Sequence, residues 1–342
     1  MRKVAVQEAI GLILGHDITE IRAEAGIKRR AFRRGHVIAA GDIERLLDLG
    51  KSHIFVGEEG DTDVHEDDAA RTVAPAAAGP GISHDAEPSE GKIAFTATQD
   101  GVLRIDTARL LAINSLGPAA LPTLPGNYPV RQGQKVAAFR IIPLTCAPAE
   151  LDAIMASLET PLLRIDPYQL RTAAILVTGT EVYEGRIKDG FVPRLTATLA
   201  AYDVPVVASQ VVPDDLATIE GAIVELSAQC DLLLVTGGTS VDPDDVTAAA
   251  MARAGVTISV RGTPIQPGNN LTIGYRGDLP VCAVPAAALF HQATALDLLL
   301  PRILAGEKIT PAVVAPMGLG GLAQPDTDAR FPDCTFGAGG WR

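Results

Sequence analysis

The feature that most constrains the fold is a regular alternation of apolar strands and amphipathic helices between residues 171 and 309. Ala173 to Thr178 and Asp231 to Thr236 are apolar runs, typical of strands that helices cover on both faces. The same pattern predicts further strands over 204–212, 257–260 and 279–284, and helices over 191–202, 216–229, 246–254 and 286–304. Alternating strand and helix units of this kind predict an α/β domain with three layers, α/β/α, around a mostly parallel sheet.

The N-terminal half follows a different pattern and predicts α+β accessory domains rich in β structure. Its apolar periodicity predicts helices over 6–14, 42–49, 66–78 and 149–158, a strand over 53–56, a β-hairpin of 92–98 with 102–106, and further short strands over 107–147. The Gly-, Pro- and Ser-rich stretch from Gly79 to Gly91 predicts a linker or a long loop. We therefore expect an α+β accessory region over 1–90, a β-rich accessory domain over 91–148, the α/β domain over 149–309 and a C-terminal extension over 310–342.

Charge and cysteine usage exclude several classes of function. The formal net charge is −12, and no basic stripe offsets it, so neither nucleic acid nor an anionic membrane surface is an expected partner. The four cysteines are widely spaced, which is typical of a reducing compartment. The longest apolar region, 293–305, contains Asp297, Pro301 and Arg302, which disfavour a membrane span. We expect a cytoplasmic protein.

Four loops of the α/β domain carry residues suited to ligand chemistry. In a parallel sheet the ligand lies beyond the carboxyl ends of the strands, which here are followed by loops 178–190, 212–215, 236–247 and 284–287. Glycines after a buried strand let the backbone approach an anion, and threonine and serine hydroxyls add donors. Carboxylates beside an anion require a cation between them, so Asp214, Asp242, Asp244 and Asp245 indicate a phosphate ligand with Mg²⁺. Asp214 and Asp245 are equally suited to capping the helices predicted after them.

The ordered motifs of these loops resemble the molybdopterin-binding domain shared by the MogA, MoaB and MoeA proteins of molybdenum cofactor biosynthesis. The motifs are T-G-T-E-V-Y-E-G-R-I-K-D, V-P-D-D, T-G-G-T-S-V-D-P-D-D-V-T, G-T-P-I-Q-P-G-N-N and L-P-V-C-A-V-P-A. The resemblance implies that the strand ends and the T-G-G loop hold the pterin and its phosphate, and that Asp214 and Asp245 act in catalysis and Mg²⁺ binding. The implied binding residues are Thr178, Gly179, Glu181, Thr236, Gly237, Gly238, Thr239, Ser240, Pro267, Gly268 and Pro285.

The whole chain most resembles a divergent, MoeA-related class of molybdopterin-binding protein. The resemblance implies molybdopterin as ligand, Mg²⁺ and ATP as co-substrates, and a homo-oligomer, a dimer rather than a trimer. Gln266 and Asn270 stand where MoeA proteins carry lysines, and Pro285-Ala286 replaces the usual Pro-Gly. Three functions remain open: a transferase that adenylylates molybdopterin or inserts molybdate, a non-catalytic carrier or sensor of molybdopterin, and an ADP-ribose pyrophosphatase similar to the N-terminal domain of CinA proteins.

Overall fold

The structure is a computed structural model that describes residues 1–57, 62–237 and 246–323. Its strands are β1 (Arg2–Ala5), β2 (Ile18–Arg22), β3 (Ile27–Phe32), β4 (His53–Val56), β5 (Val64–His65), β6 (Ile82–His84), β7 (Ile93–Ala97), β8 (Gly101–Ile105), β9 (Ala119–Ala120), β10 (Pro129–Val130), β11 (Lys135–Ile141), β12 (Thr145–Cys146), β13 (Leu163–Pro167), β14 (Ala173–Thr178), β15 (Val206–Val212), β16 (Leu232–Thr236), β17 (Thr257–Arg261), β18 (Thr272–Arg276) and β19 (Leu279–Val284). Its α-helices are α1 (Asp42–Asp48), α2 (Glu66–Ala77), α3 (Thr107–Ser115), α4 (Pro148–Ala156), α5 (Thr180–Tyr183), α6 (Phe191–Ala200), α7 (Leu216–Ser227), α8 (Thr247–Arg253), α9 (Ala287–Phe290), α10 (Ala295–Leu304) and α11 (Pro311–Val314).

The C-terminal half is built on a six-stranded sheet in the order β15-β14-β16-β19-β18-β17. The first four strands are parallel, and β18 and β17 continue the sheet in antiparallel pairing. One apolar core joins the sheet to α6 and α10, and a second core joins its other face to α7 and α8. The predicted three-layer α/β/α domain is confirmed.

Sequence periodicity missed β18, which carries Gly274 at its centre. A Cβ atom at Gly274 would lie 2.6 Å from Val256 Cγ1 and 2.9 Å from the Thr257 carbonyl oxygen. Glycine is needed here because the chain entering β17 packs directly on this position, and glycine is also what weakens the strand signal.

The helix predicted over 286–304 is wrong as a single element, because it is divided into α9 and α10. Thr294 begins α10: its backbone N–H and its hydroxyl both donate to Asp297 Oδ2, at 2.8 and 2.9 Å. Such a reciprocal cap stabilises a new helix start in the middle of an apolar run. Burial raises the pKa of the Asp297 carboxyl, although the hydrogen bonds from Thr294 act in the opposite direction.

Arg194 of α6 holds the break between α9 and α10 in place. Its Nε donates to the Ala288 carbonyl at 3.1 Å, and its Nη2 donates to the Gln292 carbonyl at 3.1 Å. Nη2 also lies 3.8 Å from Asp297 Oδ1. One guanidinium therefore satisfies carbonyls that a continuous helix would have used internally.

The predicted hairpin of 92–98 with 102–106 is wrong. β7 pairs with β6 and β11, whereas β8 pairs with β10 and β13, so the two strands belong to different sheets. β8 pairs with β13 along five consecutive residue pairs, from Leu163↔Ile105 to Pro167↔Gly101. The partner of β8 is therefore β13, which is distant in the sequence, and not the neighbouring β7. Local periodicity does not reveal such a pairing.

The elements from β5 to β13 share an apolar core of their own, and we call this part of the chain the second unit. Two other stretches of it differ from expectation. The predicted linker of 79–91 contains β6, and the stretch of predicted short strands from residue 107 begins with α3. Asp106 caps α3 by accepting from Arg109 N at 3.0 Å, a signal present in the sequence that the strand interpretation passed over. The predicted helices α2 and α4 are confirmed, and α2 continues past Pro75 to Ala77.

The predicted helix over 6–14 is wrong. Residues 2–5 form β1, which pairs antiparallel with β4, and residues 6–8 form a single 3₁₀ turn. Gly11 has φ +81, which a right-handed helix does not allow. Its N–H donates to the carbonyl of the distant Ile38 and not to a residue of the preceding turn. The predicted helix over 42–49 and the strand over 53–56 are confirmed as α1 and β4.

The second unit is joined to the α/β domain by partly buried ion pairs. Arg104 of β8 contacts Asp166 and Glu307, both at 2.8 Å, and Arg302 of α10 also pairs with Glu307. Burial acts to raise the pKa of Glu307, but the hydrogen bonds and charges of Arg302 and Arg104 together lower it.

Within the described ranges, no helix combines the length and apolar character needed to cross a bilayer.

Replacing Arg194→Ala should reduce the free energy of unfolding by about 2–3 kcal/mol, because the Ala288 and Gln292 carbonyls lose their donor and the largely buried Asp297 carboxylate loses a nearby positive charge. Urea denaturation measures this loss. Arg186→Ala is the control, since Arg186 is 73% exposed and pairs with the neighbouring Glu184, and we expect a loss of at most about 1 kcal/mol. Equal losses in the two variants would contradict the role assigned to Arg194.

Candidate ligand site at the carboxyl edge of the sheet

Four parallel strands end side by side, at Thr178, Val212, Thr236 and Val284. We call this the carboxyl edge. The loop 262–271 reaches the same edge, because β18 runs antiparallel and its Thr272 pairs with Ala283 of β19. The topology therefore brings together the loops in which the sequence predicts the ligand site.

The loops after β14 and β15 are tied together by Thr180 and Asp214. Thr180 N donates to Asp214 Oδ2 at 2.8 Å, and Asp214 N donates to Thr180 Oγ1 at 3.2 Å. Gly179 N donates to the Val212 carbonyl at 3.2 Å. Asp214 is exposed, and its Oδ1 has no hydrogen bond within the described part of the chain, so one carboxylate oxygen is available to a ligand. Sequence reasoning had not singled out Thr180, although the T-G-T-E motif contains it.

The alternative in which Asp214 caps the following helix is wrong. The N-terminal cap of α7 is Asp215, whose Oδ1 accepts from Thr218 N at 2.8 Å and from Thr218 Oγ1 at 2.6 Å. These hydrogen bonds lower the pKa of Asp215. The two adjacent aspartates therefore have different roles: Asp215 stabilises a helix end, and Asp214 remains at the site.

The ends of β14 and β16 approach each other at Gly237. This residue has φ +85, and a Cβ atom built there would lie 2.5 Å from Thr178 Oγ1 and closer still to the Thr178 carbonyl oxygen. Only glycine fits such an approach. On the other side, the buried Thr247 hydroxyl at the start of α8 donates to the Gly237 carbonyl at 2.9 Å. Thr247 was also missed at the level of sequence, where it is the last residue of the T-G-G motif.

Two hydroxyl groups at the ends of β14 and β16 have no hydrogen-bond partner among the described residues. Thr178 and Thr236 are buried, at 4% and 0% exposure, and neither Oγ1 makes a hydrogen bond in the structure as described. Buried polar side chains nearly always have a partner, and each one without a partner costs about 1–3 kcal/mol. Two such groups at the ends of neighbouring strands are what a polar ligand or its bound water would satisfy.

The remaining predicted site residues divide into three groups. Glu181 is exposed in α5, near the Gly179 backbone. Pro285 follows β19 directly, and its carbonyl accepts from Ala288 N at 3.1 Å. Pro267 and Gly268 pack against the start of α10: the Pro267 carbonyl accepts from Ala295 N, and a Cβ at Gly268 would lie 2.9 Å from that nitrogen. The predictions for Gly238, Thr239, Ser240, Asp242, Asp244 and Asp245 lie outside the described residues.

The donor chemistry at the edge fits a hard cation. Asp214 offers a carboxylate oxygen beside threonine hydroxyls, and Mg²⁺ prefers one or two carboxylates with its remaining positions filled by water or phosphate. Among the described residues there is no group of three or more histidine, cysteine, aspartate or glutamate side chains placed to hold a metal by themselves. Asp214 is thus suited to a cation that a ligand phosphate also coordinates.

Residues 174–317 match the family described as "Probable molybdopterin binding domain", and residues 3–58 match a domain of unknown function. The α/β part of the chain, with its parallel sheet and glycine-lined carboxyl edge, is therefore a domain of the molybdopterin-binding type.

Curated relatives match part of this chain. A CinA-like protein of Desulfosudis oleivorans is 44% identical over 82 residues, which cover 24% of this chain and 20% of the relative. A CinA-like protein of a Synechococcus species is 39% identical over 80 residues, covering 23% and 19%. The chain spans about a fifth of the length of these relatives.

Solved structures similar to the chain include the molybdopterin biosynthesis enzyme MoaB from Thermus thermophilus, with 21% identity, 40% of this chain and 98% of that chain covered, and a TM-score of 0.34. The protein CinA from Thermoplasma acidophilum has 17% identity, 39% and 98% coverage, and a TM-score of 0.34. The Mog protein from Mycobacterium ulcerans has 20% identity, 39% and 94% coverage, and a TM-score of 0.33.

Replacing Gly237→Ala should force the ends of β14 and β16 apart. Gly255→Ala is the matched control, because Gly255 has φ +82 but nothing within 4 Å of its Cβ position, so it reports backbone strain alone, about 1 kcal/mol. We expect Gly237→Ala to lower the free energy of unfolding by about 1–3 kcal/mol more than the control, as overpacking does. Urea denaturation compares the two, and equal costs would refute the close approach.

Proposed function

We propose that the carboxyl edge binds molybdopterin and that the protein acts in molybdenum cofactor biosynthesis. The observation that carries this proposal is the pair of buried, unpartnered hydroxyls of Thr178 and Thr236 beside Gly237. A ligand phosphate is a strong acceptor for such hydroxyls and for backbone amides exposed at glycine turns. The family match of residues 174–317 supports molybdopterin as the ligand that carries the phosphate.

The site is suited to phosphate held by hydrogen bonds and a cation. Thr180 orients Asp214 by donating two hydrogen bonds to its Oδ2. The other carboxylate oxygen, Oδ1, is therefore already positioned at the carboxyl edge before a ligand binds. A negative carboxylate beside a phosphate attracts Mg²⁺, and Mg²⁺ with ATP would allow adenylyl transfer. In that reaction a phosphate oxygen of molybdopterin attacks the α-phosphorus of ATP and pyrophosphate leaves. Asp245, predicted as the second Mg²⁺ ligand, belongs to this proposal.

The loop 262–271 favours a second reading of the same site, a carrier or sensor. Gln266 N donates to the Gly321 carbonyl at 2.7 Å, and the Gln266 carbonyl accepts from Ala323 N at 2.9 Å, so this loop is fixed by the chain that follows α11. Gln266 and Asn270 are neutral amides, which hydrogen-bond but do not neutralise molybdate. Binding is thus better supported than molybdate insertion.

The CinA-like relatives favour a third candidate, hydrolysis of ADP-ribose with a divalent metal. It uses the same edge, the same hydroxyls and Asp214, and it differs in substrate. In each of the three cases we place the protein in the cytoplasm, in keeping with the free thiols of Cys146, Cys230 and Cys282.

The test is binding of purified molybdopterin, with and without Mg-ATP, by titration calorimetry and by analysis of the products. Asp214→Asn should bind molybdopterin within about threefold of the unmodified protein, because the amide oxygen still accepts from Thr180, but should lose Mg-dependent turnover by about 100-fold. Asp215→Asn is the matched control: it removes the neighbouring charge, keeps a helix cap, and should leave both properties unchanged.

Each result selects one function. An adenylylated product that Asp214→Asn abolishes supports the transferase, and binding without product supports the carrier or sensor. Absence of binding in both conditions overturns the molybdopterin proposal, and metal-dependent release of AMP from ADP-ribose then identifies the pyrophosphatase.

A further inference from the structure

A cavity of about 400 Å³ opens on the second unit, between the start of α3 and the strands β8 and β13. We call it the arginine cavity. Among the described residues that line it are three arginines from three different elements, Arg104 of β8, Arg109 of α3 and Arg164 of β13, and a single carboxylate, Asp106. A chain with a net charge of −12 therefore concentrates positive charge at this one place.

Two of these arginines lie directly opposite each other. In the antiparallel pairing of β8 with β13, Arg104 is the partner of Arg164. Like charges in directly opposite positions destabilise a sheet. Asp166 lies between them and accepts from Arg104 Nε at 2.8 Å and from Arg164 Nε at 2.9 Å. One carboxylate is thus shared by two guanidinium groups.

The other carboxylates beside the cavity are already engaged. Arg109 donates to both oxygens of Asp106, from its backbone N at 3.0 Å and from its Nε at 2.9 Å. Glu307 pairs with both Arg302 and Arg104. Among the described residues, this network of ion pairs contains four guanidinium groups and three carboxylates, so one positive charge is in excess.

Arg164 is the arginine that has donors available to a ligand. Its Nε binds Asp166, but neither of its Nη groups makes a hydrogen bond within the described part of the chain, and its side chain is 57% exposed. Arg109 differs: its Nη1 donates to the Thr160 carbonyl at 2.7 Å and its Nη2 to the Pro161 carbonyl at 3.1 Å. Arg109 therefore fixes one wall of the cavity, and Arg164 is left to bind.

These donors indicate the chemistry of the ligand. A guanidinium group binds phosphate through two parallel N–H groups, and such charged hydrogen bonds are stronger than neutral ones. The first turn of α3, at Thr107 and Ala108, also lines the cavity, and the N-terminal end of a helix favours negative charge. Ile105 and Leu162 add apolar wall, and the volume lies in the range of small-molecule sites. A small organic phosphate fits this lining.

We propose that the arginine cavity binds the phosphate group of a small ligand, with Arg164 as the principal donor and Arg104 beside it. The ligand supplies the negative charge that the opposed guanidinium groups lack. Asp106 does not oppose this binding, because Arg109 neutralises it. Phosphate is the chemistry shared by two sources, free inorganic phosphate and a phosphate monoester.

The arginine cavity is separate from the carboxyl edge. A smaller adjoining cavity, lined by Arg104, Arg164 and Glu307, continues from it towards the turn that follows α10 at Leu304. The other end of α10 adjoins the carboxyl edge, where Ala295 N donates to the Pro267 carbonyl. The length of α10, about 15 Å for its ten residues, therefore separates the two sites.

The test is titration calorimetry of the full chain with inorganic phosphate, ribose 5-phosphate and ribose. Both phosphates should bind and ribose should not. Tighter binding of ribose 5-phosphate supports a monoester as ligand, and equal binding supports free phosphate. Arg164→Gln should weaken phosphate binding about 10-fold or more, because it removes the free N–H groups and the charge.

Arg253→Gln is the matched control. Arg253 is 55% exposed and its Nε pairs with Glu220 at 2.8 Å, so its replacement removes the same charge from the same kind of ion pair outside the cavity. It should leave phosphate binding within about twofold. An equal loss in the two variants would overturn the proposal, since the effect would then come from net charge. Unchanged binding in Arg164→Gln would also overturn it.

Hydrogen exchange identifies where phosphate binds, because the carboxyl edge is also proposed to hold phosphate. Inorganic phosphate should slow amide exchange of unmodified protein in the segments 104–109 and 161–166. Failure of both phosphates to bind, or protection at the carboxyl edge alone, overturns the proposal without any variant. The measurements use no molybdopterin and concern a different part of the chain, so their outcome is independent of the proposed function.

Discussion

The site depends on one close approach, that of the Gly237 backbone to the end of β14. Parallel pairing places Val177 opposite Thr236, so Gly237, the residue after β16, lies opposite Thr178. There the absence of a side chain lets the two strand ends converge, and Thr247 fixes the Gly237 carbonyl from the other side. The hydroxyls of Thr178 and Thr236 are buried at these strand ends, and neither has a hydrogen-bond partner among the described residues. A buried hydroxyl without a partner raises the free energy of the folded protein, and a ligand that accepts its hydrogen bond offsets that cost. The packing of the sheet thereby contributes to affinity for a ligand.

A few partly buried charged side chains connect distant segments of the chain. Arg194 stabilises the break that lets α9 and α10 follow β19, and Arg104 with Arg302 holds Glu307 at the junction with the second unit. Such pairs are costly to break because a single charge would be left buried. They hold the loops beyond the carboxyl edge and the second unit in defined positions, while α6 and β15 are left without exposed charge.

Much of the α/β domain could be predicted from sequence because its signals are local. The strands β14 and β19 are apolar runs ended by glycine or proline, and their predicted bounds agree with the structure. The errors occur where contacts between residues far apart in the sequence determine the local structure. β8 pairs with β13, about sixty residues away along the chain, and Arg194 divides α9 from α10 across about a hundred residues. Of the candidate site, the motifs predict Thr178, Thr236 and Gly237 but do not single out Thr180 and Thr247, whose roles come from hydrogen bonds to other loops. The division of roles between Asp214 and Asp215 was not predictable either, because both suit a helix cap.

The outermost strand of the sheet leads directly into the ligand site. β15 ends at Val212, whose carbonyl accepts from Gly179, and Asp214 follows two residues later. An edge strand that is paired on one side only is the easiest strand of a sheet to distort. The Thr180–Asp214 hydrogen bonds tie the end of β15 to the loop after β14. A ligand that binds the free oxygen of Asp214 would therefore also restrict the end of β15, and so order one wall of the site.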